Sequence, residues 1–316
     1  RTGSSNSNII PNKFGTFYNT GVNSVIASGN NNKITSNCSF IGGGFNNTAS
    51  GISGFIGGGK ENNIANTNFS SIAGGAINII TIGDFNFIGG GTRNTVSGYN
   101  SLIVGGICNK ISGNDSSIIG GILNTSSGVG SFIGGGSSNQ ITSTGNNSSV
   151  VGGKLNIISG FFNFIGSGCG NTVSGNYSID NFIGSGNSNS ISYGSAEKNF
   201  IGGGSSNTIS GQYHNNIVGG SNNSTSGAYT FIGGGNFNTV SGYTGNVIVG
   251  GSSNQITSGG NNSSIVGGTK NTTSAYNTFI GGGTLNTAST SCTGILGGKN
   301  NHACNINSFI VGSDLT

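Results

Sequence analysis

The chain has no methionine, no tryptophan, one proline and two histidines in 316 residues, and only ten basic and six acidic side chains. So little charge excludes a solvated disordered tail and does not fit an enzyme built around a polar cleft. The formal charge of +4 is scattered, with no run or stripe to neutralise a line of phosphates, so nucleic acid is not an expected partner. No stretch approaches the roughly 20 apolar residues of a membrane helix, so insertion into a bilayer is not expected either. Neither His214 nor His302 has an acidic or cysteine neighbour at ligand spacing. The five cysteines (Cys38, Cys108, Cys169, Cys292, Cys304) show no CxxC spacing, which argues against a zinc site or a disulfide framework and leaves a Cys292–Cys304 bridge open. The Asp-rich nonapeptides of calcium-binding rolls are absent. No metal, no cofactor and no catalysis are therefore expected. The chain starts at Arg1 and stops at Thr316 partway through a repeat, and we read it as a piece of something longer.

What fills the chain is glycine, 65 residues of it, together with Asn, Ser and Thr. Eighteen times an Asn follows a Gly by three residues, from Gly29/Asn32 through Gly44/Asn47 and Gly136/Asn139 to Gly298/Asn301. A repeat this short, running throughout, predicts a solenoid in which each copy is one coil stacked on the last. One copy reads Asn199-Phe200-Ile201-Gly202-Gly203-Gly204-Ser205-Ser206-Asn207-Thr208-Ile209-Ser210-Gly211. Period-two alternation makes it two short strands, with Ile201 and Ile209 inward. The fold class is thus an all-β parallel β-solenoid of about 18 coils of 15–18 residues, over 22–316. Residues 1–21, with Pro11, read as a cap or linker. Stacking at about 4.8 Å per coil makes a rod on the order of 85 Å long.

Glycine at the bend supplies positive φ, and the recurring Asn tolerates a left-handed turn while its amide bonds the Asn above and below. The column Asn47, Asn94, Asn139, Asn171, Asn207, Asn238 and Asn286 is accordingly read as a structural ladder. Its N-x-S/T triplets follow from composition and are not read as glycosylation sites.

Volume is compensated around the first inward Ile. Phe40, Phe55, Phe87, Phe132, Phe164, Phe200, Phe231 and Phe279 each precede it where Gly follows, whereas Ser117/Ile119, Ser149/Val151 and Ser264/Val266 reverse the sizes. Leu102/Val104, Val247/Val249 and Phe309/Val311 break the rule. Compensation suits a closely packed surface, and an uncovered ladder of Phe and Val would be a large apolar patch. A homo-oligomer packed side by side through this face is expected.

The succession Ser127-Gly128-Val129-Gly130-Ser131-Phe132-Ile133-Gly134-Gly135-Gly136-Ser137-Ser138-Asn139 resembles the head repeat of YadA-like trimeric autotransporter adhesins, and similar repeats occur in tail-fibre-like proteins of phages and large viruses. The resemblance covers about residues 22 to 312. It implies a left-handed parallel β-roll, three chains together, extracellular on a cell or virion surface, acting as an adhesive or structural spike. The expected partners are the chain itself, as homotrimer or filament, and a host-surface glycan or protein.

Three features point to surface chemistry. Tyr177, Tyr193, Tyr213, Tyr229, Tyr243 and Tyr276, with Phe161 and Phe162, fall at similar offsets after the second strand, while the first half offers only Tyr99. Such a stripe suits either stacking on sugar rings or the edge of the interface. Thr48, Thr95, Thr125, Thr172, Thr208, Thr239, Thr272 and Thr287 share an outward column, followed by a Ser or Thr column, in the geometry of an ice-binding solenoid. Lys33, Ile79, Lys110, Gln140, Ile157, Gln255 and His302 interrupt it. Asp180 and Glu197 fall at nearly the same corner of consecutive long coils, and two carboxylates about 5–10 Å apart would serve a polysaccharide-cleaving tailspike. With no apolar pocket evident to raise one pKa, they read as solvated loop acids. Ser-Ser-Asn-Gln-Ile-Thr occurs at both 137–142 and 252–257, so block duplication has lengthened the array, as befits a fibre.

Overall fold

The computed structural model describes residues 17–312; Pro11, Asp314, the end of the chain at Thr316 and most of the expected cap at 1–21 lie outside them. Two units are distinguished, up to Leu155 and from Asn156. Each is an all-β parallel solenoid without a helix among the described residues. Among the described residues the first holds eighteen strands and the second twenty, two per coil, which makes nine and ten coils. The first strand, Phe17–Asn19, lies inside residues 1–21 and pairs in register with Asn32–Ile34.

Within each unit the strands alternate between two sheets. The first sheet holds strands such as Phe40–Ile41 and Phe55–Ile56, paired Phe40 to Phe55 and Ile41 to Ile56. The second holds strands such as Thr208–Ile209 and Ser224–Thr225, paired Thr208 to Ser224 and Ile209 to Thr225. Strands of two or three residues suffice because every coil repeats the same register. Ile41, Ile56, Ile201 and Ile209 are fully buried between the sheets. Each such Ile contributes on the order of 2 kcal/mol by burial, realised only when a neighbouring coil covers it.

The corners explain the glycine and correct one expectation. Gly44 (φ +92°) and Gly204 (φ +90°) take the left-handed bend, where a Cβ would collide with the carbonyl of the next coil's glycine. The ladder Asn is not itself left-handed; the residue before it is, as at Asn46, Ser206 and Phe237 with φ of 57°, 56° and 55°. A left-handed non-glycine residue costs about 1 kcal/mol. That cost is offset because the turn aims its N–H along the stack: the Ser206 amide donates to the Asn187 carbonyl at 2.8 Å, and the Asn46 amide to the Asn30 carbonyl at 3.0 Å. Side-chain type hardly matters at this position, so Phe237 and Leu285 occupy it as well as Asn46 does.

Candidate functional site

The Asn column holds the coils together through the backbone. In the second unit Asn207 Oδ1 accepts the Asn223 amide N–H at 3.0 Å, and Nδ2 donates to the Gly203 and Gly220 carbonyls, both at 3.0 Å. The Asn207 N–H in turn donates to Asn189 Oδ1 at 3.0 Å. The pattern recurs at Asn47, Asn94, Asn171, Asn238 and Asn286, whose Oδ1 atoms receive the amides of Asn62, Asn109, Asn189, Asn254 and Asn301. Asn139, at the top of the first unit's column, donates through Nδ2 to the Gly153 carbonyl at 2.9 Å and through its own N–H to Asn124 Oδ1 at 3.0 Å. Amide-to-amide bonding, the expected form of the ladder, is seen at Asn47 with Asn32 and at Asn301 with Asn286. Elsewhere the side chain serves one backbone donor and two backbone acceptors, leaving its amide protons committed.

A second buried polar column, which the sequence analysis did not single out, stands just before the first-sheet strand. Asn181 Oδ1 accepts the Asn199 N–H at 3.0 Å, Asn199 Oδ1 the Asn215 N–H at 2.8 Å, and Ser116 Oγ the Ser131 N–H at 3.2 Å. Ser replaces Asn here because its hydroxyl also reaches the next amide, as Ser263 Oγ reaches that of Thr278 at 3.2 Å. The signal was present as the Ser-or-Asn preference before Phe-Ile.

Outward from the first sheet, the Phe rings do not stand off the surface. Each lies along its own strand over the glycine two residues on: Phe200 Cε1 lies 3.3 Å from where a Cβ on Gly202 would be, and Phe132 Cε1 3.4 Å from that of Gly134. The size compensation is thus satisfied inside the chain. Phe182, with Gly184, obeys the same rule and joins the column, stacking on Phe164 at 5.0 Å and Phe200 at 5.3 Å between ring centroids. Phe40 and Phe55 stack likewise at 5.4 Å. The exception Phe309 is explained: Val311 occupies the place of its glycine, and its ring lies against Gly294 of the preceding coil instead. Even so arranged, Phe55, Phe87, Phe279, Val151, Val218 and Val249 stay 38–50% exposed. In both units this face is an apolar surface open to solvent.

The tyrosines divide among several positions. Tyr213 continues the column of Ile179 and Glu197, Tyr229 stands one residue beyond it and Tyr243 one residue short. Insertions of different length shift each ring by single steps that similar offsets concealed. Tyr213 accepts the Gln212 amide at 2.7 Å, and Tyr229 stacks on His214 at 5.1 Å. Tyr177 and Tyr276 are exposed. Tyr193 and Tyr243 alone come together around one groove of about 390 Å³, lined also by Gly211, Gln212, Ser226, Gly227, Ala228, Ser241 and Gly242. No charged residue lines it. In the first unit the corner aromatic positions are held by Phe69 and Phe85, stacked at 5.2 Å, so Tyr99 is not the sole aromatic there.

Glu197 stands beside Ile179 in the next coil, and Asp180 is therefore in register with Lys198. Neither acid lines the groove. On the second sheet, Thr172, Ser190, Thr208, Ser224 and Thr239 follow one another without interruption through five paired strands. Beside them, Ser210 and Ser241 turn their hydroxyls onto the Thr225 and Ile256 carbonyls. The column in the first unit is broken by Lys33, Ile79, Lys110 and Gln140. Compared with known proteins, the chain matches no family model and no curated protein.

Proposed function

We propose that this chain is a structural and adhesive surface fibre, the shaft or head of a spike, filament or tail fibre, whose copies associate through the outer face of the first sheet. The observation that carries this reading is the column of half-exposed Phe, Val and Ile on that face in both units. A soluble monomer rarely leaves so long an apolar strip open, and a regular strip on a solenoid is most simply covered by the same strip on another copy. The resemblance to YadA-like heads supports three chains, a left-handed roll and an extracellular or virion-surface setting. The two buried polar columns supply the stiffness a fibre needs, since within each unit they tie successive coils together through hydrogen bonds to the backbone. Native mass spectrometry and light scattering test the proposal. Three chains per particle, or an open filament, agree with it, with dissociation on replacing Phe164, Phe182 and Phe200 together by Ser; a clean monomer at micromolar concentration refutes it.

A second reading, ice binding, is favoured by the uninterrupted hydroxyl column from Thr172 to Thr239. Its test is inhibition of ice recrystallisation that is lost on Thr208→Lys.

A further inference from the structure

We infer that the groove between Tyr193 and Tyr243 is a binding site for a neutral oligosaccharide, which deepens the adhesive part of the proposed function. Four observations on the second unit lead there. First, the two rings belong to coils three steps apart, so at about 4.8 Å per step they stand roughly 14 Å apart along the stack, a length suited to a short sugar chain and not to a single small metabolite. Both are exposed, Tyr243 at 69% and Tyr193 at 44%, so they can flank a ligand without repacking the core.

Second, glycines form the floor. Gly211, Gly227 and Gly242 are buried, and a Cβ on any of them would collide with the next coil's backbone. None of the three has room for a side chain, so no side chain rises from them between the aromatic walls to fill the groove.

Third, the polar groups that reach the groove are uncharged: the Ser226 and Ser241 hydroxyls and the Gln212 amide. Ser241 Oγ donates to the Ile256 carbonyl at 3.3 Å and Gln212 Nε2 to the Tyr213 hydroxyl at 2.7 Å, so each is held in place with acceptor capacity left over. Neutral donors and acceptors between apolar rings match a pyranose, which has C–H groups on its faces and hydroxyls around its edge. They give an anionic sugar no counter-charge.

Fourth, the groove is open, as a site along a polymer must be. Its Ser226 and Ser241 belong to the hydroxyl column that borders the second sheet, so a longer neutral glycan leaving the groove meets more uncharged hydroxyls.

The test uses the full chain in its native assembly. Tri- and tetrasaccharides of the cello, malto, chito and manno series are titrated by saturation-transfer NMR and calorimetry, beside a sulfated oligosaccharide and a polyproline decapeptide. At least one neutral series should bind. Tyr193→Ala and Tyr243→Ala should each weaken it about tenfold, as expected for loss of one aromatic contact, while Tyr243→Phe keeps most of the affinity and Tyr177→Ala and Tyr276→Ala change nothing. Circular dichroism of each variant should match the parent, since all four rings are exposed. The inference is overturned if no neutral series binds at millimolar concentration, if binding survives both Ala variants, or if only the decapeptide or the sulfated sugar binds. None of these outcomes bears on the assembly mass, so the fibre reading stands or falls separately.

Discussion

Replacing one rung of the Asn column measures what holds the coils together. Asn207→Ala removes the acceptor of the Asn223 N–H and the donor to the Gly203 and Gly220 carbonyls, three contacts of 3.0 Å each. The Gly220 carbonyl keeps the Ser205 N–H at 3.0 Å, so it is not orphaned. The Asn223 amide loses its acceptor in a fully buried residue, and the half-buried Gly203 carbonyl loses its donor. With roughly 1–3 kcal/mol for a buried group left unpaired, and less for the half-buried one, the expected loss is about 3 kcal/mol. Asn207→Asp tests the same geometry through charge. The carboxylate still accepts from Asn223 but turns a lone pair toward two carbonyls, and burial among them raises the folded-state carboxyl pKa above the usual value of about 3.9. The neutral form is then favoured by folding, so the deficit relative to the parent is small below about pH 4 and grows as pH rises through the unfolded and then the folded value. Urea unfolding followed by far-ultraviolet circular dichroism gives the free energies, and hydrogen exchange at Asn223 gives the local effect, a loss of protection of about a hundredfold. An Asn207→Ala variant within about 0.5 kcal/mol of the parent, with Asn223 still protected, would refute the claim that the column acts by holding backbone amides.

Two glycines one coil apart should behave oppositely. Gly204→Ala puts a Cβ at φ +90° against the Gly220 carbonyl and should cost more than about 3 kcal/mol, whereas Gly219→Ala, with nothing within 4 Å, should be neutral or stabilise by up to about 1 kcal/mol; thermal unfolding of the pair decides. Thr273 occupies an inward position that Ile or Val fills in most coils, and its buried hydroxyl and that of Thr278 have no hydrogen-bond partner. Thr273→Val should therefore stabilise by about 1 kcal/mol. Thr225→Val should gain nothing, because Thr225 Oγ1 is already bonded to Thr230 Oγ1 at 2.6 Å.

The fold was legible because it is one-dimensional. Once Gly-x-x-Asn fixes the length of a coil and Ile201 and Ile209 fix its inside, every further coil is forced into the same register, and a local reading becomes a global one. What repeats with fixed spacing was therefore found, including the Asn column and the Phe/Gly pairs. How those residues act was less visible. The repeat shows that Asn recurs, and a recurring amide can bond another amide or the main chain; the turn before it decides, because the left-handed Ser206 and Asn46 carry the chain into an arrangement that presents the next coil's N–H to Oδ1. The Phe/Gly pairing likewise showed that two volumes trade off without showing that the ring turns along its own strand to cover the glycine.

The groove was the least legible feature, for a related reason. A stripe along a solenoid exists only while successive coils have equal length, and the corner after the second strand is where the lengths vary. The insertion Tyr193-Gly194-Ser195-Ala196 and the shorter corner Gly242-Tyr243-Thr244 bring two rings around a floor of three glycines, while rings at nearly the same offset, Tyr213 and Tyr229, are drawn aside by Gln212 and His214. The variable corner and the invariant columns thus divide the work. At most of the buried Asn and Ile positions a change orphans a buried group or opens a void, so differences between coils collect mainly where a side chain meets only water. A recognition surface on such a protein is to be sought at the corner whose length drifts, and Tyr193 and Tyr243 mark where that drift has made a site.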